Sequence, residues 1–329
     1  MREGKGSFTS RAVMFFRALA VRAAIPIFQD TIAEQLLNAR GQRILNRPRT
    51  YRIMARLFRR RPKLKKFLAA LLLRARFAED ELVRAMDWEG VRQYVILGAG
   101  WDTFAWRRTD LMARLRLFEL DHPDTQAAKR ARLAGRGLVA HPNQVFVPID
   151  FTTQSLSERL LAEGFDPAVP TFVNWMGVTY YLPKLVVENV FRELQALCAG
   201  GVMVAFDYSD TGVLELARTR PKTMGMRLRR AVAGAVWRRI GEPFHTWLDL
   251  DELPQWFDSL GYDIQINLTR RAKRAYLPPE DLGGYEPGGG MNIALVRSRS
   301  MGAGAAPCES VDQQCDAGAG AETAITQRT

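Results

Sequence analysis

The sequence predicts an α/β fold: a doubly wound, mostly parallel seven-stranded sheet of the Rossmann-like kind, preceded by an N-terminal helical cap. Three observations predict it. Five short apolar runs between residues 93 and 207 alternate with amphipathic segments, the pattern of parallel strands joined by crossover helices. The first run ends in the turn Gly98-Ala99-Gly100, where a strand hands over to a helix as it does at nucleotide-type sites. Ahead of that run, residues 10–87 carry apolar side chains at helical rather than alternating spacing. The 329 residues, 47% hydrophobic and 25% charged, are enough for one large α/β domain with extensions or for two ordinary domains, and they exclude wholesale disorder.

In chain order, the cap shows helical stripes at Val13, Phe16 and Ala20 and again at Ile32, Leu36 and Leu37. The candidate strands are 93–97, 115–120, 144–149, 171–176 and 202–207, with helices at 124–133, 155–162 and 183–198 between them. Pro183 opens the last of these and Gly200-Gly201 follow its end, each where it is favoured. A basic helical segment at 214–239, a helix at 251–260 and strands at 262–267 and 291–296 complete the pattern. From Ser298 onward large apolar residues almost vanish, so this stretch cannot offset the entropy of ordering and reads as a disordered tail. The expected division is a basic cap over 1–87, a core over 88–297 with a helical insertion at about 211–240, and a tail over 298–329.

Charge is concentrated at one end. The net charge is +12, yet the first 80 residues hold 19 basic and 5 acidic residues, 19 − 5 = +14, which leaves −2 for the rest. Any acidic partner must therefore be sought in the cap. Residues 47–66 carry ten basic side chains and no acidic one, interleaved with Ile53, Met54, Leu57 and Phe58. The plainer reading is a solvated helix face over the site; the second is an amphipathic helix in peripheral contact with an anionic membrane, and no nucleic acid partner is expected. Three cysteines, Cys198, Cys308 and Cys315, match neither a disulfide framework nor a zinc pattern. The chain reads as cytoplasmic: Arg17 and Arg22 interrupt the apolar stretch 12–28, and no uncharged run approaches the roughly 20 residues of a spanning helix.

The chemistry centres on YVILGAGWDTFAW, residues 94–106. Its glycines let a ligand approach the backbone, and Asp102 and Thr103 are candidate caps for the next helix. A dinucleotide fingerprint requires a third glycine at position 103, which is Thr103, so a diphosphate is disfavoured. Glu119 and Asp121 follow the turn by about 20 residues, where a carboxylate accepts from both ribose hydroxyls; Asp121, at the strand end, is the better candidate. Asp150 and Phe151 close the third strand with a carboxylate for an adenine amino group and a ring for its face. Each feature alone has a bland alternative as turn or cap. Their ordered combination points to an adenosyl cofactor without a pyrophosphate, S-adenosyl-L-methionine. A nicotinamide oxidoreductase would rest on Gly98, Gly100 and Asp121 alone.

These blocks, with RALA (17–20), FQDTIAEQLL (28–37), RARFAED (74–80), FELDHPDTQAAKRARL (118–133), WMGVTYYLP (175–183) and GEPFHTWLDLDELPQWFDSLGY (241–262), are where the chain resembles the leucine carboxyl methyltransferase-like family. Its bacterial members are S-adenosylmethionine-dependent O-methyltransferases. The resemblance implies that Arg74 binds the cofactor's carboxylate, that Gly98 lies at the cofactor turn, and that Asp121 meets the ribose and Asp150 with Phe151 the adenine; Gly100 and Asp102 of the same turn are further cofactor-binding candidates. An Arg suits the first role because its fork is bidentate. In the same resemblance Tyr181 matches a family tyrosine and is the candidate catalytic residue. Met176 stands where the eukaryotic leucine carboxyl enzymes carry Glu, which argues against a protein C-terminal leucine as acceptor.

A sulfonium methyl donor requires mainly alignment of acceptor, carbon and sulfur. A carboxylate acceptor needs no base, whereas a phenol near pKa 10 profits from one. His245 is a candidate base whose plainer reading is a loop histidine. The expected activity is methyl transfer to a carboxylate or hydroxyl of a small molecule, in a pocket made by the N-terminal helices and residues 214–239 and lined by Trp175, Tyr180 and Trp247. The rival expectation is a basic membrane-surface or nucleic-acid binding module on a degenerate fold of this type.

Overall fold

The computed structural model describes residues 8–211, 245–269, 271–288 and 291–300. The basic segment at 214–239 and the chain beyond residue 300 lie outside the described residues. Five helices come first: α1 (Phe8–Arg22), α2 (Ala33–Leu36), α3 (Ala39–Asn46), α4 (Pro48–Arg60) and the long α5 (Pro62–Trp88). Prolines sit in the first turns of α4 and α5, where the missing N–H costs nothing.

The sheet follows as β1 (Gln93–Leu97), β2 (Arg116–Asp121), β3 (Gln144–Pro148), β4 (Thr171–Trp175), β5 (Val202–Tyr208), β6 (Tyr262–Leu268) and β7 (Asn292–Ser298). Its order is β3-β2-β1-β4-β5-β7-β6. β1 to β5 pair in parallel, and β7 is antiparallel to both of its neighbours. The seven-stranded, mostly parallel expectation holds. The last strand ends at Ser298, so the boundary expected before that residue cuts into a buried strand.

Between the strands lie α6 (Phe104–Arg107), α7 (Thr109–Met112), α8 (Pro123–Ala134), α9 (Leu156–Ala162), α10 (Lys184–Leu197), α11 (Leu253–Ser259), α12 (Ala272–Ala275) and α13 (Pro279–Leu282). Alternation along the strands divides the core. Tyr94 and Ile96 of β1, Phe172 of β4, and Met203 and Ala205 of β5 join the N-terminal helices in one apolar cluster. Val95, Leu97, Val173, Trp175, Val204 and Phe206 face the other way and pack with residues of α9, α10 and α11. The helices before β1 are thus one of the two layers that bury the sheet, as strands buried on both faces require. Among the described residues no helix is long and apolar enough to cross a membrane.

Candidate active site

From β1 the chain winds outward to β2 and β3, then returns to β4 on the other side. At such a reversal the C-terminal strand ends splay apart and leave a crevice. A cavity of about 650 Å³ occupies it. All eight candidates reach it: Arg74, Gly98, Gly100, Asp102, Asp121, Asp150, Phe151 and Tyr181.

The glycine turn is held on both sides. Gly98 has φ +69°, and a Cβ there would lie 2.4 Å from Val178 Cγ2, so neither the backbone nor the space admits a side chain. The Gly100 N–H donates to Asp121 Oδ2 and the His122 N–H to Oδ1 at 2.7 Å. A carboxylate has about four lone-pair sites, so two such bonds leave Asp121 capacity toward the cavity. Burial nevertheless pushes its carboxyl above the ordinary value, because these two backbone bonds do not fully offset desolvation. Glu119, two residues earlier, is fully buried in a salt bridge to Lys129 and accepts from Gln144 at 2.8 Å. It does not line the cavity. His122 has the local role of a cap, its Nδ1 accepting from the Asp124 N–H at 3.3 Å.

Asp150 closes its own turn. Its Oδ1 accepts from Thr152 N at 2.9 Å and from Thr152 Oγ1 at 2.6 Å, and the hydroxyl bond above all holds the carboxyl below its ordinary value. The Thr152 bonds fix the acid at the cavity edge beside half-buried Phe151.

Arg74 projects from α5 into the same cavity. Burial would depress its guanidinium, but Asp207 and Tyr180 more than compensate and keep it charged. Its Nη1 donates to Asp207 Oδ2 at 2.9 Å and to Tyr180 Oη at 3.3 Å. Asp207, fully buried, accepts the Gly177 N–H at 2.6 Å through its other oxygen. Gly177 has φ +83°, and a Cβ would stand 3.1 Å from Arg74 Nη2, so the glycine makes room for the fork. With Nη1 engaged, Nε and Nη2 keep three N–H donors.

Asp102 caps α6 through the Phe104 N–H at 2.8 Å and meets Arg17 Nη1 at 3.4 Å. Burial alone would raise its pKa; Arg17 and then Arg107 outweigh it and bring the net shift downward. Thr103, the other expected cap, makes no capping bond. Its hydroxyl donates instead to buried Asp30 at 2.7 Å. Asp30 also accepts from Ala33 N at 3.0 Å and meets Arg17 at 3.3 Å and Arg107 at 3.4 Å, while Arg107 pairs with Glu79. This buried cluster fastens α1 over the turn, where Ser10, Val13, Met14 and Arg17 line the cavity.

Tyr181 ends a short 3-10 turn (Thr179–Tyr181), its ring 4.6 Å from that of Tyr180. His245 is exposed at the cavity wall, its backbone N–H bonded to Tyr180 O at 2.8 Å. The expected aromatic lining is corrected: neither Trp175, Tyr180 nor Trp247 reaches the cavity. Trp175 is completely buried against Phe191, and Tyr180 is buried beside Arg74. Trp101, Phe151 and Tyr181 line it instead. Sequence reasoning also missed Asn174 and Gly177, whose signal was the WMGVTYYLP block and the residue just before it, and the α1 residues, which carry no motif of their own.

Two buried donors of residues lining this cavity, Trp101 Nε1 and Arg17 Nε, have no hydrogen-bond partner among the described residues. Unpaired buried N–H groups are costly, and a ligand with acceptor atoms would satisfy them. Carboxylates at two strand ends, a guanidinium with free donors and a ring at the edge suit a nucleoside that carries an amino acid; they offer no nest for a diphosphate.

Residues 10–195 match the family described as leucine carboxyl methyltransferase. The Bacillus subtilis protein YktD, named as an S-adenosyl-L-methionine-dependent methyltransferase, is 31% identical over 283 residues, 82% of this chain and 90% of its own length. The similarly named FRAAL3718 of Frankia alni is 31% identical over 277 residues, 82% and 87% of the two chains. A crystal structure of a DUF574 family protein from Streptomyces avermitilis superposes with TM-score 0.56 at 11% identity, over 90% of this chain and 99% of that one; it bears on the fold alone.

Proposed function

The chain belongs to the leucine carboxyl methyltransferase family and is an S-adenosyl-L-methionine-dependent methyltransferase, and from that premise we propose that it methylates a carboxylate or hydroxyl oxygen of a small molecule. The cofactor supplies an electrophilic methyl carbon. The residues that would hold it are Asp121 on the ribose hydroxyls, Asp150 and Phe151 at the adenine, and Arg74, steadied by Asp207, on the carboxylate. Gly98 and Gly100 would present backbone to it at the turn that Val178 and Ser10 pack against, and Asp102 keeps that turn in shape by capping α6.

The observation that carries the reading is that these residues, drawn from α5 and three separate strand ends, meet in one cavity of about 650 Å³. That volume is within the usual range for small-molecule sites. The remaining wall, with Val13, Met14, Met176, Val178, Leu182 and Tyr181, is mainly apolar. It suits a partly apolar acceptor and shields the transfer from water. Of these six, Tyr181 carries the group that can hydrogen-bond and orient an acceptor oxygen, and exposed His245 lines the same cavity as a base if that oxygen is a hydroxyl.

The test is transfer of labelled methyl to fractions of a metabolite extract, followed by mild alkali. A methyl ester releases methanol, and a methyl ether does not. Label fixed on nitrogen or carbon instead contradicts oxygen as the acceptor.

A further inference from the structure

We infer that α4 is a membrane-docking helix that seats the protein on an anionic lipid surface. The inference is independent of the acceptor proposed above. Residues 35–78 hold fourteen basic side chains and no acidic one, so any external partner of this region is negative. On α4, residues 49, 52, 53, 56, 57 and 60 are exposed. Their i, i+3, i+4, i+7, i+8, i+11 spacing places them on one face.

Four of the six are Arg49, Arg52, Arg56 and Arg60, and among the described residues no ion pair reaches them. The other two are Ile53, 66% exposed, and Leu57, 45% exposed, one turn apart. The opposite side is occupied: Phe58 is buried, and Met54 and Tyr51 pack on the core of the cap. Phe16 of α1 makes edge contacts with both Phe58 and Phe67, 5.7 and 5.8 Å between centroids. Phe67, 51% exposed, thus reaches α4 only through Phe16 and the buried Phe58, so the apolar part of the exposed face is Ile53 and Leu57.

A purely solvated face gains nothing from two large exposed apolar side chains one turn apart among arginines, and a phosphate backbone pairs with the arginines alone. An anionic bilayer uses both, since arginine heads reach the lipid phosphates while the aliphatic groups enter the acyl boundary. α1, which contacts α4 through Phe16, carries the Val13, Met14 and Arg17 wall of the cavity. Docking through α4 therefore brings the site near the lipid surface.

The experiment is co-sedimentation of the full chain with vesicles of phosphatidylcholine alone or of equimolar phosphatidylcholine and phosphatidylglycerol, with retained thermal stabilisation by S-adenosylhomocysteine as the check that each variant is folded. Binding is expected to the anionic vesicles only and to weaken about fivefold for each arginine removed in the series Arg49→Gln, Arg52→Gln, Arg56→Gln, Arg60→Gln. It is also expected to weaken severalfold in Ile53→Ser with Leu57→Ser, whose charge is unchanged. Equal binding to neutral vesicles, no binding to either, or indifference to the serine pair overturns the proposal. So does tighter binding of a labelled oligonucleotide that the serine pair leaves intact, which assigns the arginine face to nucleic acid.

Discussion

Two arginine–carboxylate groups border the same cavity and are built on opposite principles. In the cluster of Arg17, Asp30, Asp102, Thr103, Arg107 and Glu79, buried acids and bases are matched against one another across α1, the glycine turn and α5. At the strand ends, Asp121 has two backbone donors and no cation bonded to it, and Arg74 holds one partner acid with donors to spare. The first group is satisfied by the protein itself except at Arg17 Nε, which has no partner among the described residues. The second keeps bonding capacity where Asp121 and Arg74 line the cavity. At this cavity, then, a buried carboxylate or guanidinium with bonding capacity left over marks the place for a ligand, and the ion pairs matched inside the protein mark architecture.

The sharpest way to break the contrast is to remove the centre of the matched cluster. Asp30→Ala strands Thr103, Arg17 and Arg107 without their common acceptor. Breaking a buried ion pair by deleting one partner costs about 3–5 kcal/mol, so denaturant unfolding should register a loss of that order, far more than any strand-end substitution produces. Because Asp102 is held below its ordinary value, its share of the cluster's stability is present above the unfolded-state pKa and is lost as pH falls through the lower folded value.

Asp121→Asn should act on binding more than on folding. The folded pKa of Asp121 is raised by burial, so the ionised form costs stability as pH rises through that value. The amide removes that cost, but its –NH2 must replace one of the two oxygens that accept the Gly100 and His122 N–H groups, so the melting temperature of the free protein should shift far less than in Asp30→Ala. Calorimetric titration with S-adenosylhomocysteine should meanwhile lose about 1.5–3 kcal/mol, the worth of a hydrogen bond to a charged group. The same titration in the native protein should weaken as pH falls, beginning above the range of an ordinary Asp near pKa 3.9, and the Asn variant should flatten that dependence. If Asp121→Asn destabilises the free protein as much as Asp30→Ala does, the acid belongs with the structural group.

Smaller effects sharpen the division. Phe151→Ala should cost about 1 kcal/mol of affinity through lost aromatic contact while changing unfolding much less than Asp30→Ala does. Tyr181→Phe removes a single hydroxyl at the cavity wall, so turnover should fall by about tenfold or less, with cofactor affinity unchanged.

The contrast also explains what was legible in the sequence. Gly98, Asp121, Asp150 and Phe151 follow successive strands at short range, and local apolar runs with their end residues reveal such positions. The matched cluster joins residues 17, 30, 79, 102, 103 and 107, no one of which differs in sequence from an ordinary surface charge or cap. Thr103 illustrates the point: it stands where a cap is expected, yet its hydroxyl turns to Asp30, a partner 73 residues earlier. Trp175 and Tyr180 failed as lining residues for a related reason. Sequence places them near the strand end, but the pleat of β4 turns Trp175 into the core and the ion pair of Arg74 takes Tyr180.

The central claim is that one cavity at the strand ends receives a nucleoside bearing an amino acid, and the structure of the complex with S-adenosylhomocysteine tests it most directly. The account predicts the ribose on Asp121, the adenine between Asp150 and Phe151, and the carboxylate on the unused donors of Arg74. A ligand bound elsewhere, or in this cavity with its carboxylate at Asp150 and its adenine at Arg74, contradicts it.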